Sequence, residues 1–359
     1  MPKLNLTRRE FLKASGASLF LAGIPLPGFT QDKPPGTISV ILLEGGMDGL
    51  TAVPPFGDPN LSKMRRGLTP ENYLKLNSFF GLHPSFKYFA GLMAKNNASI
   101  VHATNFPYTK RSHFEGQNLM QGGGLNPFSE TSGWLGRALD LARTPGRSMS
   151  LDMPLVLRGM SDNDNFYPAN IRGSSNLMTQ LIDSISMSHS KEGSEVFKKV
   201  SKKSTQKDSI VPRNPASLAK YAGKAMAQEN GPLSSVIKVD QFDTHAHQGS
   251  DEYGRHGKQL TLTEFGRTVL ENGTQGTEHG YGTAGLLAGG AISKSRVISN
   301  WPGLAKNEQF EQRDLMSTID YRSVCAACIE NALGLDHDLI AEKVFFTPKL
   351  PRVYNNIFS

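Results

Sequence analysis

Thr37-Ile38-Ser39-Val40-Ile41-Leu42-Leu43-Glu44-Gly45-Gly46-Met47-Asp48-Gly49 joins an apolar run to a glycine-rich turn that ends on a carboxylate. Its first seven residues are a short, β-branched and apolar run, which reads as a buried strand. The run enters a glycine turn that places Asp48 at the strand's carboxyl end. Ligands of open α/β sheets bind at that edge. A proline-rich linker, Lys33-Pro34-Pro35-Gly36, separates this strand from everything before it.

Residues 82–93 read as a helix and 98–103 as a second buried strand. A loop over 104–111 leads to a helix opening at Ser112. Residues 134–142 form a further helix, and 153–157 a short strand. Residues 160–235 are polar, rich in Ser, Asn and Lys, and weakly patterned, which suggests a peripheral cap or insertion. Strands return at 236–242 and 259–263, strand and turn at 285–297, and a closing helix at 321–333. Strands alternating with helices imply an α/β sheet with helices on both faces. No internal repeat is visible.

The chain has 359 residues and a formal charge of +7, with 36 glycines and 21 prolines. The composition is that of a loop-rich globular protein, neither disordered nor collagen-like. The charge invites a nucleic-acid reading, but residues 1–30 carry a net +3 of it. Much of the rest sits in Lys198, Lys199, Lys202, Lys203 and Lys207, which have no interleaved aromatics. Such a cluster is a solvated face rather than a groove tracking phosphates. Nucleic acid is therefore not an expected partner.

The N-terminus reads Thr-Arg-Arg-Glu-Phe-Leu-Lys at 7–13, followed by an apolar stretch over 14–24. That stretch is too short for a bilayer, which takes about 20 residues. A basic start and a short apolar run make a signal peptide. Arg8 and Arg9 with Phe11, Leu12 and Lys13 resemble the twin-arginine (Tat) export signal of bacteria. The resemblance implies the Tat machinery as a partner and a periplasmic or cell-surface location, with no transmembrane helix expected. Tat substrates cross the membrane folded, often after loading a metal or cofactor. Cys325 and Cys328 fall on one face of the closing helix. They are expected to pack that helix, with a disulfide as the second reading.

Four constellations carry candidate chemistry. Phe-Asp-Thr-His-Ala-His-Gln at 242–248 follows an apolar strand, and Asp243, His245 and His247 alternate. In an extended segment they point the same way and supply a carboxylate and imidazoles to a divalent cation. A polar loop with a capping aspartate fits the same residues. Leu-Thr-Glu-Phe-Gly-Arg-Thr at 262–268 places Glu264 at a strand end, with Arg267 able to grip an oxyanion or simply pair with Glu264. Gly-Thr-Glu-His-Gly-Tyr-Gly at 276–282 adds Glu278 and His279 as a metal or acid–base pair. In Pro-Tyr-Thr-Lys-Arg-Ser-His-Phe-Glu-Gly-Gln at 107–117, Ser112 and Glu115 form a capping box. The same geometry offers Ser112 as a metal-activated nucleophile beside Arg111 or His113.

With these residues, the chain resembles a bacterial family of Tat-exported proteins, the domain of unknown function 1501 family. It is grouped with the alkaline phosphatase and sulfatase superfamily. The matching stretches are Gly45-Gly46-Met47-Asp48-Gly49-Leu50, Gly81-Leu82-His83-Pro84, Arg111-Ser112-His113-Phe114-Glu115 and Asp243-Thr244-His245. Thr263-Glu264-Phe265-Gly266-Arg267-Thr268, Gly276-Thr277-Glu278-His279-Gly280, Trp301-Pro302-Gly303-Leu304 and Asp320-Tyr321-Arg322 follow. The resemblance spans about 38–348. It implies one alkaline-phosphatase-like domain over 31–359, after a signal segment at 1–30, with the cap at about 160–235.

The resemblance further implies a metal-dependent hydrolase of phosphate or sulfate esters. Asp48, Asp243, His245, Glu264 and His279 would bind one or two divalent ions (Zn, Mn, Ca or Mg). Ser112, His113 and Arg267 would face an anionic ester substrate. The competing expectation is a non-catalytic exported binding or scaffold protein that retains the fold. Three departures stand out. The Cys/Ser-x-Pro-x-Arg motif of sulfatases is absent. Glu278-His279 stands where relatives usually show Asp-His. Ten residues separate Gln248 from Gln259, where relatives carry a helix and a longer strand.

Overall fold

β1 (Ile38–Leu43) is buried along nearly its whole length, and its side chains divide between two cores. Ile38, Val40 and Leu42 join Trp134, Leu135 and Val324 on one side. Ile41 and Leu43 join Phe86, Phe89 and Ala222 on the other. Alternate residues of a strand face opposite ways, so a strand covered on both faces needs an unbroken apolar run. Each such side chain stabilises the fold by about 1.5–3 kcal/mol. The computed structural model describes residues 36–142, 147–149, 153–159, 164–165, 215–228, 231–248 and 262–358. The twin-arginine segment, the lysine cluster at 198–207, most of 160–235 and the short connection at 249–259 lie outside the described residues.

The remaining labelled strands are β2 (Ala98–Asn105), β3 (Arg147–Met149), β4 (Asp164–Asn165), β5 (Ser234–Val239), β6 (Leu262–Thr263), β7 (Thr283–Ala288), β8 (Val297–Ile298) and β9 (Ile319–Asp320). One sheet is parallel throughout, in the order β4-β3-β5-β1-β6. In the second, β2 pairs antiparallel with β7 and parallel with β8 and β9. The helices are α1 (Lys87–Ala94), α2 (His113–Gly122), α3 (Trp134–Leu141), α4 (Pro215–Met226) and α5 (Tyr321–Leu333). Residues of α3 and α5 fill the first core, and residues of α1 and α4 the second. The fold is therefore α/β, with the parallel sheet covered by helices on both faces.

Several elements differ from the sequence reading. Residues 155–157 form a turn of 3₁₀-helix, not a strand. The Leu157 amide bonds the Pro154 carbonyl and the Arg158 amide that of Leu155. A short apolar run fits a buried turn as well as a strand. Within the span read as a cap, α4 contributes Ala222 to the second core and β5 pairs with β1. The described residues of that span, in β4, α4 and β5, therefore belong to the sheet and its cores. The closing helix spans Tyr321–Leu333 as expected, opened by Asp320 and closed by Gly334 in the left-handed conformation. Cys325 and Cys328 are free thiols in it, and burial pushes the Cys328 thiol up to about 12. Among the described residues no helix is long and apolar enough to cross a membrane.

Registration of the parallel sheet sets the functional edge. Leu43 of β1 stands level with Val239 of β5 and with Thr263 of β6. The chain leaves all three strands at one edge, toward Asp48, Asp243 and Glu264 respectively.

Candidate metal centre

Three segments meet at that edge: the turn after β1, the loop after β5, and Glu264–His279 after β6. The first turn is built on Gly45, whose φ is +120° and whose missing Cβ leaves room for the Phe242 and Asp243 backbone. Arg267 ties the segments together. It is fully buried, and its Nε donates to the Gly46 carbonyl at 2.9 Å and its Nη1 to that of Thr277 at 3.2 Å. Its Nη2 donates to the Gly45 and Phe242 carbonyls and to Asp243 Oδ1, the last at 2.6 Å. Every nitrogen of the guanidinium is thus engaged within the protein, so Arg267 positions Asp243 instead of forming the open oxyanion grip expected from sequence.

Asp48 occupies a closed environment. It caps the four-residue helix Gly49–Ala52 and receives Arg65 Nη1 at 2.5 Å, Thr51 Oγ1 at 2.8 Å and Gln248 Nε2 at 2.5 Å. Burial alone would raise its pKa, but Arg65 and the hydrogen bonds outweigh that and hold it at about 2. The carboxylate expected to bind metal is committed to a guanidinium. Arg65 also reaches the Val269 and Thr268 carbonyls, so it has no freedom to leave.

Asp243 stands open, with 45% of its side chain exposed, and three imidazoles converge on it. His245 Nε2 lies 2.9 Å from Oδ1, His279 Nε2 3.0 Å from Oδ1, and His113 Nε2 3.4 Å from Oδ2. His113, Asp243 and His279 offer ligand atoms all within 4.8 Å of one another, the spacing of a metal-binding group. Burial opposes the Asp243 charge, but the hydrogen bond and charge of Arg267, with His245 and His113, hold its pKa at about 2. Asp243 and His245 come together through consecutive tight turns rather than an extended strand. The Thr244 amide bonds the Phe242 carbonyl, and that of His245 the Asp243 carbonyl. The left-handed φ of His247, +46°, breaks the alternation read from sequence.

Each converging ring is held from behind. His113 Nδ1 contacts Glu264 Oε1 at 2.7 Å, His245 Nδ1 contacts Glu278 Oε2 at 2.8 Å, and His279 Nδ1 contacts the Arg111 carbonyl at 2.9 Å. Glu264 is buried and also accepts from the Gly45 amide and Gln117 Nε2. Burial opposes its charge, yet these bonds, that of His113 foremost, lower its pKa. Glu278 is lowered chiefly by its hydrogen bond from Asn272. All three partners are acceptors, so a ring that is neutral and gives its Nδ1 proton to its partner carries the lone pair on Nε2, toward Asp243. Yet His279 Nε2 lies 3.0 Å from both His113 Nε2 and His245 Nε2.

Lone pair would then face lone pair, unless a cation or a shared proton lies between. The Glu264 hydrogen bond raises the pKa of His113, while burial lowers that of His279. The donor set fits a metal ion. Ligand atoms about 2.0–2.1 Å from zinc stand about 3.3 Å apart when tetrahedral, close to the contacts seen. A carboxylate or carbonyl behind each imidazole is the usual arrangement at such centres.

The structure therefore gathers Asp243, His245, His279 and His113, places Glu264 behind His113, and keeps Asp48 and Arg267 in supporting roles. Ser112 precedes α2 but makes no side-chain cap, and Glu115 instead accepts from Tyr108 Oη at 2.8 Å. Tyr108 Oη in turn accepts the Ser112 amide at 3.1 Å, so the expected capping box is replaced by a tyrosine bridge. Sequence reasoning missed Gln248, which directly follows the Asp-Thr-His-Ala-His run. It also missed Arg65, for which no local signal exists.

Residues 258–327 match the model of a family described as a protein of unknown function (DUF1501). The match supports that family over this segment, which carries Glu264, Arg267, Glu278 and His279. No curated protein and no solved structure matches the chain.

Proposed function

We propose that this chain is an exported, metal-dependent hydrolase of phosphate or sulfate esters, with its metal held by His113, Asp243, His245 and His279. One observation carries the reading: three imidazole Nε2 atoms gather around the Asp243 carboxylate, with those of His113 and His245 each 3.0 Å from that of His279. Imidazole-rich donors suit zinc or a similar transition ion better than magnesium or calcium, which prefer oxygen. When bound, such an ion supplies Lewis acidity to an ester oxygen. Arg267 and Glu264 keep the ligands aligned, and Ser112, which directly precedes His113, is the hydroxyl offered as nucleophile. The alkaline-phosphatase-like fold, the twin-arginine export and the periplasmic or cell-surface location belong to the same proposal and rest on the sequence motifs.

A non-catalytic metal-binding or scaffold role is favoured by one feature: the guanidinium expected to grip substrate is turned inward. To separate the readings, full-length protein is loaded with Zn²⁺ or Mn²⁺ and assayed on nitrophenyl phosphate, bis-nitrophenyl phosphate and nitrophenyl sulfate. The hydrolase reading expects turnover that a chelator abolishes and His279→Ala removes. Stoichiometric metal without turnover on any ester supports the binding role instead.

A further inference from the structure

His279 differs from the other two imidazoles in what holds it. His113 and His245 lean on carboxylate side chains, whereas His279 Nδ1 donates to a main-chain carbonyl, that of Arg111. The direction of that carbonyl depends on the backbone of Arg111, which is left-handed at φ +61°. Residues with a Cβ avoid this region unless something compels them. Here the compulsion comes from the residue's own side chain. Arg111 Nε donates to Asp314 Oδ2 at 2.7 Å, and Nη2 to Glu311 Oε2 at 2.5 Å. The guanidinium also lies over the Phe310 ring, 5.8 Å from its centroid.

The anchor is itself fixed. The Asp314 side chain is fully buried, and its backbone forms bridges with Thr268 and Phe310. Thr268 follows Arg267, the tie beneath Asp243. A loop far along the chain thus reaches the candidate centre through one arginine. Strained backbone held by such a network is a recurrent feature of functional sites.

We propose that Arg111 is a positioning residue for the metal centre: its anchored side chain holds a left-handed backbone whose carbonyl fixes the tautomer and orientation of His279. This rests on the metal reading above. The role is carried by the main-chain carbonyl, so glycine and alanine differ in their effect. Arg111→Ala loses the anchor and keeps the strain, whereas Arg111→Gly loses the anchor but adopts the left-handed backbone readily.

The test measures Zn²⁺ affinity of the full chain by chelator competition for wild type, Arg111→Ala, Arg111→Gly and Asp314→Asn. Folding is checked by circular dichroism, and the His279 Nδ1–H resonance is followed in the metal-free protein. Arg111→Ala should weaken Zn²⁺ by about 10–100-fold, the usual effect of losing a partner behind a ligand. Arg111→Gly should recover part of that loss, and Asp314→Asn should fall between wild type and Arg111→Ala. The His279 Nδ1–H should exchange faster in Arg111→Ala than in Arg111→Gly.

A merely structural role would make glycine equal to or worse than alanine, and that result overturns the proposal. Unchanged affinity in Arg111→Ala, with wild type binding Zn²⁺, also overturns it and leaves the metal reading intact. A wild type that takes up no Zn²⁺ overturns the metal reading itself and this inference with it.

Discussion

Two aspartates leave adjacent parallel strands at the same edge of the sheet, and each is paired with a fully buried arginine. Asp48 follows β1 and meets Arg65, while Asp243 follows β5 and meets Arg267. Both carboxylates are held at about 2. Their surroundings differ. The Asp48 side chain is 3% exposed, and its neighbours are a guanidinium, a hydroxyl and an amide, all donors to it. Asp243 is 45% exposed, with three imidazole Nε2 atoms around it. A carboxylate at the carboxyl edge of a sheet is thus not yet a ligand. Its role depends on whether its other neighbours donate to it or join it in turning lone pairs toward one point.

The largest separation of the two regions should come from removing the arginines. Arg65→Met leaves Asp48 buried without its partner, which costs about 3–5 kcal/mol when a buried pair is broken. Arg267→Met has a different signature, because its four carbonyl partners hold the turns of the centre. It should lower both stability and metal affinity, whereas Arg65→Met should lower stability and spare the affinity of the folded fraction. Urea unfolding with and without Zn²⁺ measures both quantities. Equal loss of affinity in the two variants would break the distinction.

Acid should act on the closed region in two steps. His102 is buried, with Nε2 facing the Val53 carbonyl at 3.0 Å and Nδ1 accepting the Ala103 amide at 2.7 Å. Burial, above all, lowers its pKa from 6.5 to about 4. The unfolded chain therefore takes up this proton first, and the stability present above pH 6.5 is lost as pH falls toward 4, about 3 kcal/mol in all. Asp48, lowered from 3.8 to about 2, contributes stability above pH 3.8 that is lost as pH falls toward 2, about 2 kcal/mol. Unfolding free energies across these windows should show both losses. His102→Asn should flatten the upper one and Asp48→Asn the lower. A single loss unaffected by either variant would place the acid sensitivity elsewhere.

Much of this was legible in the sequence, for reasons that can be named. β1 was readable because a strand buried on both faces must be continuously apolar, and α5 because its residues, Cys325 and Cys328 among them, recur at helical spacing on one face. Asp243, His245, Glu264 and His279 were readable because each follows a strand or lies in a glycine-rich loop. Partner choice was not. Whether Asp48 faces a metal or Arg65 depends on a residue 17 positions away, with no periodic relation to it. His113 read as a substrate group because its neighbours suggested a nucleophile and cap, whereas the fold turns its ring toward Asp243. The Arg111 carbonyl carries no side-chain signature at all. Local pattern reports which groups reach an edge, and only tertiary contact reports which of them are already taken.

On the metal reading, Asp243 belongs to the centre and Asp48 does not. Zn²⁺ stoichiometry and affinity of full-length wild type, Asp48→Asn and Asp243→Asn test it most directly. Wild type should bind Zn²⁺ stoichiometrically, Asp243→Asn should bind at least about 100-fold more weakly, beyond the usual loss from a supporting residue, and folded Asp48→Asn should match wild type. Absence of Zn²⁺ uptake by wild type, or equal weakening in the two variants, would contradict it.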